Sequence, residues 1–186
     1  MGLEDIKQEI YTEYRRRVGS KFKDSEFIQH AIDAFANTIY NKGVNKGVII
    51  SGRTGVGKTV LLKSAVAIWD RHNKVKMEYL PSSKIPTITT KSEGYASTID
   101  YRMPYLAIDD IGAEPEVIKL YGVGITPLVD IVQYRTDMKD RRKILFATTN
   151  LTPNMIGERY GDRVKSRLRG ENKIILVKGD DNRTTK

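Results

Sequence analysis

The sequence predicts a three-layer α/β domain with a mostly parallel five-stranded sheet. Short apolar runs typical of buried strands alternate with longer stretches whose apolar residues recur every three or four positions. A glycine-rich phosphate-binding motif follows the first apolar run, and a later run ends in two adjacent aspartates. Because ligands of open parallel sheets collect at the carboxyl ends of the strands, we expect both features at one edge.

Two helices are predicted before the phosphate motif. The first extends from Leu3 to about Val18, and Gly19 is a plausible stop. The second begins after a cap at Asp24 or Ser25. Its core-facing residues recur at spacings of four, three and four: Ile28, Ile32, Phe35 and Ile39.

The phosphate motif follows a predicted strand at residues 47–51 and fits the pattern G-x-x-x-x-G-K-[ST]. Its glycines let the backbone curl so that several N–H groups face phosphate oxygens, and the next helix adds the positive end of its dipole. Lys58 can reach the β- and γ-phosphates, and the Thr59 hydroxyl can ligate Mg²⁺. We therefore predict that the chain binds a nucleoside triphosphate. The expected contacts are Gly52, Arg53, Thr54, Gly55, Val56, Gly57, Lys58, Thr59 and Val60.

The middle of the chain is predicted to hold a helix, a strand and a loop. The helix continues from Lys58 to about Arg71, and residues 75–80 form the next strand. Residues 81–98 lack periodicity and are rich in Ser, Thr, Lys, Pro and Gly, which indicates a loop. Lys84 and Lys91 in this loop could meet DNA phosphates, and a solvated loop is an equal alternative.

Two adjacent carboxylates end the strand that starts at Tyr105. Asp109 is expected to hold Mg²⁺, directly or through water, and Asp110 to turn towards the γ-phosphate and polarise a water molecule. Such pairs are common in turns, but together with the phosphate motif they supply the parts of Mg²⁺-dependent hydrolysis.

The remaining elements are predicted as follows. Residues 111–124 form a connection with a short helix, and a second helix starts near Pro127 and reaches about Met138. A strand at residues 143–149 ends in Asn150, whose amide could orient the attacking water or simply open the next turn.

A basic segment at residues 158–170 precedes the last predicted strand, at residues 173–178. Arg163 and Arg167 lie four positions apart and therefore share one helix face. Gly170 is predicted to end this helix. That face could be solvated surface, or it could present guanidinium groups to phosphate.

Composition limits the classes of function. The formal charge of +9 favours a polyanionic partner, most commonly nucleic acid, although a nucleotide site also needs positive groups. The absence of cysteine excludes disulfides and thiolate metal sites. No apolar run approaches a membrane span, so we expect a cytoplasmic protein without a membrane partner.

The order of these motifs resembles bacterial replicative-helicase loaders of the DnaC/DnaI type and their relatives, the transposition-helper ATPases. The likeness covers roughly residues 25–178, through the phosphate loop, LAIDDIG, TTNL and GDRVKSRL. It implies an AAA+ fold with ATP and Mg²⁺, assembly into a ring or spiral, and single-stranded DNA and a replicative helicase as partners.

The same resemblance implies roles by position. Lys58 and Thr59 belong to Walker A, Asp109 and Asp110 to Walker B, and Asn150 to sensor 1. Arg167 matches the arginine finger that reaches into the neighbouring subunit's site, and Arg163 matches the other arginine of that motif.

The sequence also departs from the loader pattern. Only two helices precede the phosphate loop, where loaders carry a helicase-gripping domain, and no helical lid follows Arg169. We therefore divide the chain into an N-terminal helical extension (1–23), an AAA+ ATPase domain (24–178) with a reduced or absent lid, and a charged tail (179–186).

Three functions remain open at this point. The first is an ATPase that loads or remodels a replicative helicase on DNA, with a transposition-helper ATPase as its close alternative. The second is a small-molecule kinase that uses the same phosphate loop, although the acidic pair favours water as the acceptor. The third is an adaptor that binds ATP without hydrolysing it.

Overall fold

The computed structural model describes residues 2–19, 25–41, 46–85, 104–120, 122–137 and 143–178. The helices are α1 (Leu3–Val18), α2 (Glu26–Tyr40), α3 (Lys58–His72), α4 (Pro127–Asp137), α5 (Pro153–Tyr160) and α6 (Asp162–Glu171). The strands are β1 (Gly47–Gly52), β2 (Glu78–Pro81), β3 (Tyr105–Ile111), β4 (Ile118–Leu120), β5 (Val123–Ile125), β6 (Ile144–Thr149) and β7 (Asn172–Val177).

Five of these strands form one parallel sheet in the order β2-β3-β6-β1-β7. Side chains of successive residues point to opposite faces of a strand, so β1 contributes apolar side chains to the cores under both layers of helices. Val48 and Ile50 pack with α2 and α3, whereas Ile49 packs with α4, α5 and α6. The predicted three-layer fold with a five-stranded sheet is therefore confirmed.

The first helix packs on the second and third helices. Its apolar residues Ile6, Ile10 and Tyr14 are buried in the same cluster as those of α2 and α3. Glu9 joins α1 to α3, because its carboxylate lies 2.7 Å from the Arg71 guanidinium and 3.1 Å from the His72 ring nitrogen. The buried face of α1 is thus already covered by its own chain.

The connection after β3 differs from its prediction. Strands β4 and β5 pair antiparallel where a short helix was predicted. Gly122 adopts a φ of 82°, which suits a tight turn between two short strands. Three-residue strands are too short to show an alternating pattern, which explains why the sequence did not reveal them.

The basic segment at 158–170 also differs, since it spans two helices that break at Gly161, where φ is 90°. Gly170 lies inside α6, which ends at Glu171, so Gly170 does not close the helix. The predicted strand at 75–80 begins only at Glu78. Most of the predicted loop at 81–98 and the tail at 179–186 lie outside the described residues. No helix in the described part is long and apolar enough to cross a membrane.

Candidate nucleotide site

The phosphate loop connects the end of β1 to the start of α3. Gly55 and Gly57 adopt positive φ angles of 87° and 91°, a region that side chains with a Cβ avoid. A Cβ at Gly57 would also lie 2.4 Å from the Tyr14 hydroxyl of α1. The motif therefore needs glycine at position 57 for two reasons, backbone conformation and the closeness of the first helix.

A cavity of about 330 Å³ opens beside this loop. It brings the loop together with the ends of β3 and β6, as the parallel topology requires. Its lining residues are Thr54, Gly55, Gly57, Lys58, Thr59, Val60, Asp110, Thr148 and Asn150. Of the remaining residues expected to contact nucleotide, Val56 is buried, and Gly52 and Arg53 face Lys58 with their carbonyl groups.

Lys58 is buried and lines the cavity. Its Nζ donates to the carbonyl oxygens of Gly52 and Arg53, both at 2.7 Å, and to Asn150 Oδ1 at 2.8 Å. These acceptors hold the positive charge next to the cavity.

Three hydroxyl groups hold the Asp109 carboxylate. Thr148 and Thr59 donate to its Oδ1 at 2.6 and 3.0 Å, and Tyr79 donates to its Oδ2 at 2.7 Å. Burial, followed by the hydrogen bond to Asp109, raises the pKa of the Tyr79 phenol well above its usual value, so the phenol remains a donor. Asp109 itself is only 7% exposed, and its orientation is fixed from both oxygens.

A β-bulge lets the two adjacent aspartates serve one site. Ile108 pairs with Ala147 and Ile111 with Thr149, so β3 carries one more residue than β6 at this point. Asp110 has a φ of 60°. Its backbone is held there by side chains, because its N–H donates to Thr148 Oγ1 at 2.8 Å and its carbonyl accepts from Ser82 Oγ at 2.6 Å.

The Asp110 side chain extends into the cavity. Asn150 Nδ2 donates to its Oδ1 at 2.7 Å. Burial raises the pKa of Asp110, as do the charges of Asp109 and Glu114, and the Lys58 ammonium opposes them. A carboxylate with a raised pKa is a better proton acceptor than an ordinary aspartate.

Glu114 connects this region to the second layer of helices. It is 2% exposed, and its carboxylate accepts from the Gly112 N–H at 3.0 Å and from the Tyr160 hydroxyl. The Arg159 guanidinium donates to the Glu114 carbonyl oxygen. The loop after Asp110 is thereby fastened to the end of α5.

The two arginines of α6 are not among the residues that line the cavity. Arg163 is exposed. The Arg167 side chain is 14% exposed, and its Nη2 donates to Asp137 Oδ1 at 2.9 Å, at the end of α4. Their roles towards a neighbouring subunit remain predictions.

The sequence interpretation missed Tyr79 and Thr148 as members of the site. Thr148 stood within the TTNL motif, and a hydroxyl beside an acidic strand end is a signal that could have been used. Tyr79 offered no comparable signal, since its contact depends on the pairing of β2 with β3.

No protein-family model and no curated protein matches the sequence. Among solved structures, the DnaC helicase loader is similar, with a TM-score of 0.66 and 19% identity over 86% of this chain and 95% of that chain. A proposed primosome component from Streptococcus pyogenes serotype M3 is also similar, with a TM-score of 0.65 and 21% identity over 90% of this chain and 88% of that chain.

AMPPCP-bound DnaA from Aquifex aeolicus is also similar, with a TM-score of 0.62 and 18% identity. The match covers 87% of this chain and 50% of the DnaA chain. At these identities the likeness concerns the fold, which this chain shares with the DnaC helicase loader and with DnaA. The resemblance read from the sequence is thus confirmed at the level of the fold.

Proposed function

We propose that this AAA+ chain binds ATP with Mg²⁺, hydrolyses it, and uses the cycle to load or remodel a replicative helicase on DNA. The convergence of Lys58, Thr59, Asp110 and Asn150 on one cavity, with Asp109 directly behind Thr59, carries the proposal. The similarity to the DnaC helicase loader, and to a DnaA that holds the ATP analogue AMPPCP, supports it.

The loop and Lys58 would hold the triphosphate. The N–H groups of residues 55–59 belong to a loop and helix start of the kind that binds phosphate, and the α3 dipole favours negative charge there. The Lys58 ammonium now donates to carbonyl and amide oxygens, and phosphate oxygens are stronger acceptors for it.

The donor set fits a hard divalent cation. The Thr59 hydroxyl and the Asp109 carboxylate are 3.0 Å apart, and both are the oxygen ligands that Mg²⁺ prefers. Among the described residues no three His, Asp or Glu side chains are arranged so that they could hold a metal ion together, so phosphate oxygens and water would complete the coordination. When bound, Mg²⁺ would neutralise charge on the phosphates during transfer to water.

Asp110 and Asn150 would prepare the attacking water. Asp110 accepts a proton from it, which its raised pKa favours, and the hydrogen bond from Asn150 keeps the carboxylate aimed into the cavity. We assign the final positive charge to Arg167 of a neighbouring subunit, with Arg163 beside it, in a ring or spiral. Such a charge arrives only on assembly and therefore links hydrolysis to self-association.

One experiment separates this function from its alternatives. ATPase rate is measured against protein concentration, with and without single-stranded DNA. We expect specific activity to rise as the protein assembles and to rise further with DNA. A kinase would turn over as a monomer once given its acceptor, and a non-hydrolysing adaptor would show no turnover. Retention of a replicative helicase on the immobilised protein tests the partner.

A further inference from the structure

We propose that Tyr79 is a positioning residue for the metal ligands of this site and that its hydroxyl, acting through Asp109, sets the affinity for Mg²⁺. The inference rests on the proposed function, since it concerns the cation that accompanies ATP. It assigns a task to a tyrosine on a strand that carries none of the nucleotide motifs.

The hydrogen bonds to Asp109 divide unequally between its two oxygens. Thr148 and Thr59 both donate to Oδ1, and within the described part of the chain Tyr79 is the donor to Oδ2. A carboxylate held at one oxygen only can still rotate about its bond to Cβ. The Tyr79 hydroxyl, at 2.7 Å, removes that freedom.

Strand pairing explains why a tyrosine is needed. Tyr79 pairs with Ala107, and Asp109 lies two residues further along β3, opposite Pro81. Two residues of a strand span about 6.6 Å, a distance that the long phenol ring covers and a threonine does not. The ring is held in place by packing against the cluster of α2 and α3, and the Lys63 ammonium lies 5.3 Å from its centroid.

The link to the metal passes through the single proton of Thr59. A hydroxyl has one hydrogen to donate, and when Asp109 accepts it the lone pairs of the oxygen are left for a cation. If Asp109 rotates, Thr59 loses this acceptor and no longer presents its oxygen in a fixed direction. Partners of metal ligands act in this way and typically change metal affinity by about 10- to 100-fold.

The test is a Mg²⁺ titration monitored by binding of a fluorescent ATP analogue. Tyr79→Phe keeps the ring and removes the hydroxyl, and we expect the half-saturating Mg²⁺ concentration to rise about tenfold. Nucleotide affinity in EDTA should match that of the wild type, because the loop N–H groups and Lys58 are untouched. The matched control is Tyr105→Phe, which removes a hydroxyl at the other end of β3, where the ring packs on Trp69.

A double variant shows whether Tyr79 acts through Asp109. In an Asp109→Asn background, Tyr79→Phe should add little further loss of Mg²⁺ affinity, since the carboxylate that it positions is gone. Equal and independent losses in both backgrounds would contradict the inference. So would a Tyr79→Phe titration that overlays the wild type while Asp109→Asn is shifted. If wild type binds no nucleotide, or if Asp109→Asn leaves the Mg²⁺ titration unchanged, the proposed function itself fails.

Discussion

Asn150 links Lys58 to Asp110. Its Oδ1 accepts from the Lys58 ammonium at 2.8 Å, and its Nδ2 donates to the Asp110 carboxylate at 2.7 Å. Both halves of the amide are in use, so its orientation is determined by a cation on one side and an anion on the other. The arrangement places Lys58, which we propose contacts phosphate, and Asp110, which we propose contacts the attacking water, on the two sides of one side chain.

Asn150→Ala should therefore reduce turnover more than binding. Removing one preorganised donor typically costs about 100-fold or more in rate, whereas the loop contacts that hold nucleotide remain. Steady-state ATPase assays and fluorescent-nucleotide binding measure the two effects. Asn154→Ala on α5 is the control, and an equal loss of affinity and turnover would count against a role for Asn150 towards water.

Lys58→Ala and Asp110→Asn should separate binding from hydrolysis. The first removes the positive charge beside the cavity, so we expect tight nucleotide binding to disappear. The second keeps the metal ligands and removes the proton acceptor, so nucleotide should still bind while phosphate release stops. Binding and single-turnover measurements test this pair. Normal turnover in Asp110→Asn would exclude the assigned base.

The arginines of α6 can be distinguished by mixing variants. Arg167→Ala should leave nucleotide affinity within about threefold of wild type. It should lower turnover by about 1,000-fold, because an arginine finger typically raises kcat by at least that factor. Adding Lys58→Ala subunits, which still carry Arg167, should restore part of the activity. Arg163→Ala is tested in parallel, with Lys165→Ala as the control.

The contact between Arg167 and Asp137 supplies a further comparison. If Arg167 only ties α6 to α4, then Asp137→Asn should reduce stability and turnover as much as Arg167→Ala does. If Arg167 acts on a neighbouring site, Asp137→Asn should retain turnover. Thermal unfolding and ATPase rates of both variants decide between these roles.

The Glu9 contacts predict a pH-dependent stability. Burial raises the pKa of Glu9, but hydrogen bonds from Arg71 and His72 outweigh it, so the pKa lies below its ordinary value of 4.5. The stabilisation is therefore present above pH 4.5 and is lost as the pH falls through the lowered pKa. Glu9→Gln should reduce the free energy of unfolding by up to about 1 kcal/mol at pH 7.

That difference should shrink in acid. Denaturant unfolding of wild type and Glu9→Gln at pH 7 and below the lowered pKa measures it. Glu4→Gln, which removes the exposed partner of Lys7, is the control and should have little effect at either pH. A Glu9→Gln deficit that stays constant with pH would show that packing, and not charge, is responsible.

The parts of the site that follow from local sequence were predictable. The phosphate loop is one uninterrupted stretch of sequence, and so is the Asp109–Asp110 pair. The strands and helices beside them could be predicted from the sequence pattern. Tyr79 was missed because its hydroxyl reaches Asp109 across strands whose pairing register no single sequence states. Thr148 was missed although it stood within the TTNL motif, because the pairing of β3 with β6 that brings it to Asp109 was not known.

Arg135 shows the same limit in the scaffold. It continues the core-facing stripe of Leu128, Ile131 and Val132, but its charge argued against burial. In the structure the guanidinium is buried and donates to the carbonyl oxygens of Pro104 and Ile144. Burial lowers its pKa to about 10, and the charge of Glu171 opposes that shift. Tertiary contacts of this kind depend on where neighbouring elements end, which periodicity does not report.

The Tyr14 hydroxyl lies so close to Gly57 that the first helix supports the phosphate loop. A shortened chain that starts after α1 would lose this support and would expose apolar side chains of α2 and α3 to water. Likewise, a partner that displaces α1 would weaken the proposed triphosphate binding, whereas a partner that binds the outward, charged side of α1 would leave that binding unchanged.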